Sequence, residues 1–155
     1  MKVILSILLT MLFFVGTSNA YDVEMAKKFN SLFSQMTPEV IAKRPCEIDS
    51  KQFLEMLRKK EDFVILDIRT PQEMEIVGIT LKNTLKIPLH ELFKEENLKK
   101  LSKDKKIIVI CHTGTRSVAV TVALVATGFS NALTLKGGII ELAAAAGRSV
   151  VGTLW

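Results

Sequence analysis

Apolar residues are spaced in three different ways along this chain, and each spacing predicts a different element. From Val3 to Val15 they form a nearly unbroken run. Val23, Ala26, Phe29, Leu32, Phe33 and Met36 then recur at helical spacing. Asp22, Glu24, Lys27 and Lys28 fall largely between them, which predicts an amphipathic helix. Its apolar face has two uses open to it, packing on the rest of the chain or pairing with a second subunit. Thr37-Pro38 marks a turn or a new helical start, with Pro at the tolerated first position.

From Cys46 onward, short runs rich in β-branched residues alternate with helical segments. Cys46-Glu47-Ile48 is a short strand, and Asp49 or Ser50 caps a helix that uses Phe53, Leu54 and Leu57 as its apolar face. Phe63 to Asp67 reads as a buried strand. Thr70-Pro71 breaks the chain before a short helix from Gln72 to Val77. A strand near Leu85 to Ile87 precedes a helix near Glu91 to Leu101. Ile107-Ile108-Val109-Ile110 is a second buried strand, and the run of small and apolar residues from Val118 to Thr127 is a helix with Gly128 at its C′ position. Ala132 to Leu135 is the last strand. A last helix from Glu141 to Ala146 is closed by Gly147, before an apolar tail able to pack back on the domain. This alternation is that of βαβ units, so the fold class is α/β with a parallel sheet. In such sheets ligands bind beyond the C-terminal ends of the strands.

Composition changes the picture first at the N-terminus. A basic Met1-Lys2 start, the apolar run and Ser18-Asn19-Ala20 make the three parts of a secretory leader, with cleavage expected after Ala20. The run, of about 13 residues, falls short of the ~20 that span a bilayer, which disfavours a membrane anchor. No Cys stands near the cleavage point for a lipid-modified start. The expected layout is a signal peptide at 1–20, a helical extension at 21–44, one domain at 45–151 and a tail at 152–155, with the mature chain periplasmic or secreted.

At 155 residues, 48% hydrophobic and 24% charged, the chain has material for one core and no second domain. Its formal charge of +5 becomes +4 without Lys2, leaving 20 basic against 16 acidic side chains. The surplus is densest at Lys94, Lys99, Lys100, Lys103, Lys105 and Lys106, a solvated helix face and linker, with guidance of small anions as a second use. Export, and the lack of interleaved aromatic and basic residues, argue against a nucleic-acid partner. His90 reads as a surface or capping residue. Two histidines and two cysteines without close spacing make no metal site.

Charge and chemistry concentrate in Cys111-His112-Thr113-Gly114-Thr115-Arg116-Ser117, where a strand runs into a tight loop and the loop opens a helix. Backbone N–H groups converge there, with the positive end of the helix dipole behind them, and form an anion cradle. Cys111 stands at its entrance, where an electropositive setting lowers a thiol pKa. Arg116 adds a permanent cation with a planar donor fork. Gly114 permits a positive φ or a close approach, Thr113 and Thr115 brace the loop through side-chain to backbone hydrogen bonds, and Ser117 caps the helix. The bland alternative is a structural Cys, an ordinary turn and an exposed Arg.

The spacing C-x-x-x-x-R, with Gly at the fourth position, resembles the loop of rhodanese-type sulfurtransferases. Three further landmarks stand in the family's order. Val64-Ile65-Leu66-Asp67-Ile68-Arg69-Thr70-Pro71-Gln72-Glu73 resembles its strand ending in Asp-x-Arg and then x-Pro-x-Glu. Leu85-Lys86-Ile87-Pro88-Leu89 resembles its Asn-Ile-Pro segment, and Leu135-Lys136-Gly137-Gly138-Ile139 its Leu-x-Gly-Gly turn. The resemblance spans residues 45–151. It departs at Val77-Gly78-Ile79-Thr80, where members often have Gly-His-Ile, and at Leu142, where an aromatic residue commonly follows the Gly-Gly turn. It departs also at His112, where thiosulfate-using members often have Arg, and that bears on the donor rather than the reaction.

The resemblance implies a five-stranded, mainly parallel sheet in the order 1-5-4-2-3 with helices on both faces. It implies sulfane-sulfur transfer by double displacement. The Cys111 thiolate would take sulfur from a small anionic donor such as thiosulfate or polysulfide, hold it as a persulfide, and pass it to a thiol or cyanide acceptor, with no cofactor. Backbone N–H groups from His112 to Ser117 would hold the negative sulfur, Arg116 would keep the loop open and depress the thiol pKa, and His112 would orient the donor. Asp67 and Arg69 end a strand at the same edge. They are acid and anion ligand on a functional reading. On a structural one, which is how the family uses these positions, Arg69 pairs with Glu73 or Asp67. In this sheet order Cys46 begins strand 1 and Cys111 ends strand 4, two strands apart and at opposite ends. A disulfide is then out of reach, and Cys46 is a structural or free thiol. Two rivals remain: a related phosphatase, whose loop is one residue longer, and a carrier that delivers polysulfide sulfur to a relay protein. Monomer and homodimer both fit.

Overall fold

The computed structural model describes residues 20–151. The expected leader up to residue 19 and the expected tail at 152–155 lie outside the described residues. The chain divides into two units at Ser34, and the described part of the first is α1 (Val23–Phe33). Asp22 caps it, with Oδ1 accepting the Met25 N–H at 2.9 Å, and Phe29 stacks on Phe33 one turn later. Met36 falls beyond its end.

The second unit begins with α2 (Pro38–Ala42), capped by Thr37 with Pro38 at the first position. Its five strands are β1 (Glu47–Ile48), β2 (Phe63–Asp67), β3 (Thr84–Lys86), β4 (Lys106–Ile110) and β5 (Ala132–Leu135). They form one sheet in the order β1-β5-β4-β2-β3, with every pairing parallel. This is the order the resemblance implies. The remaining helices are α3 (Ser50–Arg58), α4 (Pro71–Ile76), α5 (Leu89–Leu92), α6 (Glu95–Leu98), α7 (Thr115–Ala126) and α8 (Gly138–Val151).

Burial on both faces explains the continuous apolar runs of the central strands. In β4, Ile108 and Ile110 pack into a cluster with Phe53 and Leu54 of α3 and Ile139 and Leu142 of α8. Ile107 and Val109 face the other way, with Val120 and Leu124 of α7 and Leu92 of α5. The strand period of two thus feeds two cores, one under each helical layer. Asp49 caps α3 with a full capping box: its side chain accepts the Gln52 N–H while Gln52 accepts the Asp49 N–H.

Several expectations need correction. The helix expected over Glu91 to Leu101 is two short helices, because Lys94 is extended (φ −67°, ψ 141°) and starts α6 afresh. The buried Asn97 ties the break together, its amide donating to the Glu91 carbonyl at 2.8 Å. The last helix starts at Gly138 rather than Glu141, and Gly147 (φ 53°, ψ 176°) leaves helical geometry after Ala146, where the sequence places the helix end. Cys46 does not lie at the opposite end of the sheet from Cys111. Glu47 is level with Thr134, and Thr134 with Val109, which sets Cys46 only three residues below Cys111. Two ~4.8 Å strand spacings and three ~3.3 Å rises still separate the two by roughly 14 Å. Both thiols are free.

The lysine run is mostly partnered. Lys94 pairs with Glu91, Lys99 with Glu95, Lys105 with Asp62 and Lys106 with Glu61, while Lys103 sits over the Phe129 ring and donates to the Gly128 carbonyl. His90 is exposed beside Glu91.

Candidate active site

Strand register brings the site together. Asp67 is level with Ile110, so β2 and β4 end at the same edge, where the Ile68 N–H donates to the Ile110 carbonyl at 3.0 Å. Arg69 and the loop from Cys111 to Ser117 therefore leave the sheet side by side. From β5 the chain turns through Gly137 and Gly138 into α8. The first free N–H groups of α8 reach back to the loop, Ile139 donating to the Cys111 carbonyl at 2.9 Å and Ile140 to that of His112 at 3.3 Å.

That contact explains the Gly-Gly landmark. A Cβ at Gly138 would stand 2.5 Å from the Cys111 carbonyl oxygen, so only glycine allows α8 to meet the loop. Gly114 (φ 98°) faces the same turn, 3.1 Å from the Gly137 nitrogen measured from where its Cβ would be, and it occupies the N-cap of α7.

Cys111 is fully buried, and the loop closes around its sulfur. The Gly114 N–H donates to Sγ at 3.1 Å and the Ser117 N–H at 3.4 Å. The Ser117 hydroxyl stands 3.7 Å from Sγ and donates to the Gly114 carbonyl at 2.7 Å. Burial pushes the thiol pKa up and is the largest single influence. The Ser117 N–H and hydroxyl, then the Gly114 and Thr113 N–H groups, together outweigh it and hold the pKa below that of an ordinary thiol. Ser117 was expected to cap the helix. It is instead the third residue of α7, with its side chain turned back into the loop. Thr113 and Thr115 brace each other, hydroxyl to hydroxyl at 3.5 Å, rather than the backbone.

Two ion pairs frame the loop. Arg69 and Asp67 are both buried and joined by two bonds, Nε to Oδ1 at 2.9 Å and Nη2 to Oδ2 at 2.7 Å. Arg69 also donates to the Glu73 carbonyl. This is the structural pairing, and the Glu73 carboxylate is not part of it. That carboxylate goes to Arg116, which donates from Nη1 to Oε2 at 2.9 Å and from Nη2 to Oε1 at 2.5 Å. Arg116, and then the Thr70 N–H, hold Glu73 down to a pKa of about 2. Arg116 in turn is kept charged by Glu73 first and by the Cys111 thiolate after it. The arginine is thereby held in a fixed position beside the loop.

The expected site residues, Asp67, Arg69, Glu73 and the loop from Cys111 to Ser117, meet at this edge, with different closeness. His112 is on the rim, half-exposed, its Nδ1 3.9 Å from Glu73 Oε1 and beyond hydrogen-bond distance. The Glu73–Arg116 bond was not anticipated. The Thr70-Pro71-Gln72-Glu73 capping box could have flagged Glu73, but nothing local points from it to a loop 43 residues on. Also missed was a cavity of about 310 Å³ between α4 and α8, lined at its loop end by Arg69, Glu73 and His112.

The site and fold have known counterparts. The family described as "Rhodanese-like domain" matches residues 49–145. A "Sulfurtransferase" of Allochromatium vinosum is 33% identical over 97 residues, which cover 63% of this chain and 87% of that protein. The "Probable adenylyltransferase/sulfurtransferase MoeZ" of Mycobacterium tuberculosis is 32% identical over 96 residues, covering 62% of this chain but only 24% of that longer protein. Among solved structures, the "Rhodanese-like Domain Protein from Staphylococcus aureus" superposes with a TM-score of 0.55 at 25% identity, covering 62% of this chain and 89% of that one.

Proposed function

From the premise that this chain belongs to the rhodanese-like domain family, whose relatives include sulfurtransferases, we propose that it moves sulfane sulfur through a persulfide on Cys111. One observation carries this: the N–H groups of Gly114 and Ser117 converge on Cys111 Sγ inside a loop with four residues between Cys and Arg. A loop that tight suits one sulfur atom better than a tetrahedral phosphoryl group.

In the first step the Cys111 thiolate attacks the outer sulfur of an anionic donor such as thiosulfate or polysulfide. A Cys–S bond forms, the donor's S–S bond breaks, and its electron pair leaves with the remaining anion, sulfite or a shortened polysulfide. In the second step a thiolate or cyanide attacks the outer sulfur, and Cys111 departs as thiolate. No external oxidant or reductant is needed, and the same loop N–H groups hold the charge on sulfur in each step. Arg116, fixed by Glu73, keeps the loop open. His112 orients the donor from the rim.

The leader pattern at 1–20 supports a periplasmic or secreted mature chain beginning at Tyr21. A carrier that hands its sulfur to a relay protein uses the same residues. The test is single-turnover loading with thiosulfate or polysulfide, read by intact mass. Cys111→Ser should take up no sulfur, and Cys46→Ser should load like the parent. Equal loss in both would overturn the proposal, making Cys46 a partner in the chemistry.

A further inference from the structure

The cations of the site are already committed. Arg69 is doubly bonded to Asp67 and Arg116 to Glu73, so these four side chains sum to zero charge. Once Cys111 holds the persulfide, with its negative charge on the loop N–H groups, neither guanidinium is left to receive a further anionic group on the acceptor. The cavity beside the loop has the matching character. Beyond Arg69, Glu73 and His112 at the loop end, its walls are Ile76, Val77, Ile139, Ile140 and Ala143. Ile76 is 83% exposed, and Val77 and Ile140 about half, so apolar side chains stand at the surface along this cavity. Val77, Ile139 and Ala143 also line a second hollow of about 170 Å³ that reaches Leu54 and Leu57, so the apolar surface continues away from the loop as a groove.

We infer that the sulfur acceptor is an uncharged organic thiol with an apolar carbon skeleton, seated between α4 and α8 with its sulfur at the loop end. The proposal rests on the sulfur-transfer reading above and names the acceptor within it. About 310 Å³ is at the lower end of small-molecule pockets and suits a thiol of modest size. Its thiolate attacks the outer sulfur of the Cys111 persulfide, the RS–S bond forms as the Cys–S bond breaks, and the acceptor's proton goes to solvent. The product is an organic hydropersulfide, and Cys111 is returned as thiolate.

The experiment loads the full mature chain with inorganic polysulfide and then follows discharge by intact mass with two probes, 2-phenylethanethiol and 2-mercaptoethanesulfonate. Each rate is normalised to that thiol's rate against free polysulfide. Burying a phenyl-sized group should favour the apolar thiol by on the order of tenfold to a hundredfold. Ile140→Glu, at a half-exposed position that tolerates a charge, should erase the preference. Failure of Cys111 to load would sink the sulfur-transfer reading itself. Normal loading with equal discharge to both thiols, or an unchanged preference in folded Ile140→Glu, would overturn the acceptor assignment alone. So would faster discharge to the sulfonate that disappears in Lys136→Ala. That result would move the acceptor to the separate hollow that Lys136 shares with Thr113 and Gly114.

Discussion

Glu73 and Arg116, 43 residues apart in sequence, are joined by two parallel hydrogen bonds that lock the cap of α4 to the nucleophile loop. The same carboxylate accepts the Thr70 N–H at 2.9 Å, so one side chain closes a capping box and anchors a loop. Removing either partner frees the other. Glu73→Ala and Arg116→Ala should each slow persulfide formation, and the double variant should be little worse than either single. A double-mutant cycle on thermal stability should return a coupling of about 1 kcal/mol, the upper end for a partly exposed pair. Full additivity would mean that the bond has no energetic consequence.

The Cys111 thiol depends on Ser117 through two contacts, the N–H and the hydroxyl. Ser117→Ala removes the hydroxyl and keeps the N–H, so the thiol pKa should rise toward that of an ordinary cysteine. Cys111→Ser controls for labelling at Cys46. Alkylation rate against pH should shift to higher pH in Ser117→Ala, and less so in Arg116→Lys, where the charge remains.

Asp67 and Arg69 are a fully buried pair, so cutting one partner leaves an uncompensated charge in the interior. Asp67→Ala should cost about 3–5 kcal/mol in chemical denaturation. Joint replacement by Asp67→Leu and Arg69→Met should recover much of that loss, since an apolar pair needs no desolvation.

Acid sensitivity follows from Glu73. Its pKa is depressed from 4.5 to about 2 by Arg116 first and the Thr70 N–H second. A carboxylate depressed by folding contributes stability above its ordinary range, and that stability is lost as pH falls from about 4.5 through about 2. Thermal midpoints in that window should fall less steeply for Glu73→Gln than for the parent chain.

The proposed export gives a mass prediction. Protein recovered from outside the cytoplasm should begin at Tyr21, and an intact mass that retains residues 1–20 would refute the leader.

The strands and the loop were legible in the sequence because they are written locally. Phe63 to Asp67 is a single apolar run, with β-branched Val64 and Ile65, that has the bounds of β2, and Cys111 to Ser117 carries its own glycine and arginine. What the sequence could not show was contact between distant segments with no local signature. Glu73 looks like a cap residue from its neighbours alone, and its pairing with Arg116 exists only once β2 and β4 are in register. Ser117 reads as a cap because serine is favoured at helix starts. Gly114, left-handed at a φ of 98°, occupies the cap position instead, and Ser117 falls in the first turn. The apolar cleft was hidden because Ile76 and Ile140 read as ordinary helix residues until α4 and α8 face one another across the loop.

The loop N–H groups are aimed at Cys111 by the start of α8, through the close approach at Gly138. In the unfolded chain none of these partners is at hand, and the sulfur is an ordinary, mostly protonated thiol. Its nucleophilicity is therefore switched on by folding. A chain crossing a membrane unfolded into an oxidising compartment would carry a quiet cysteine past reactive disulfides, and would arm it only after segments 67–73, 111–117 and 137–141 have met.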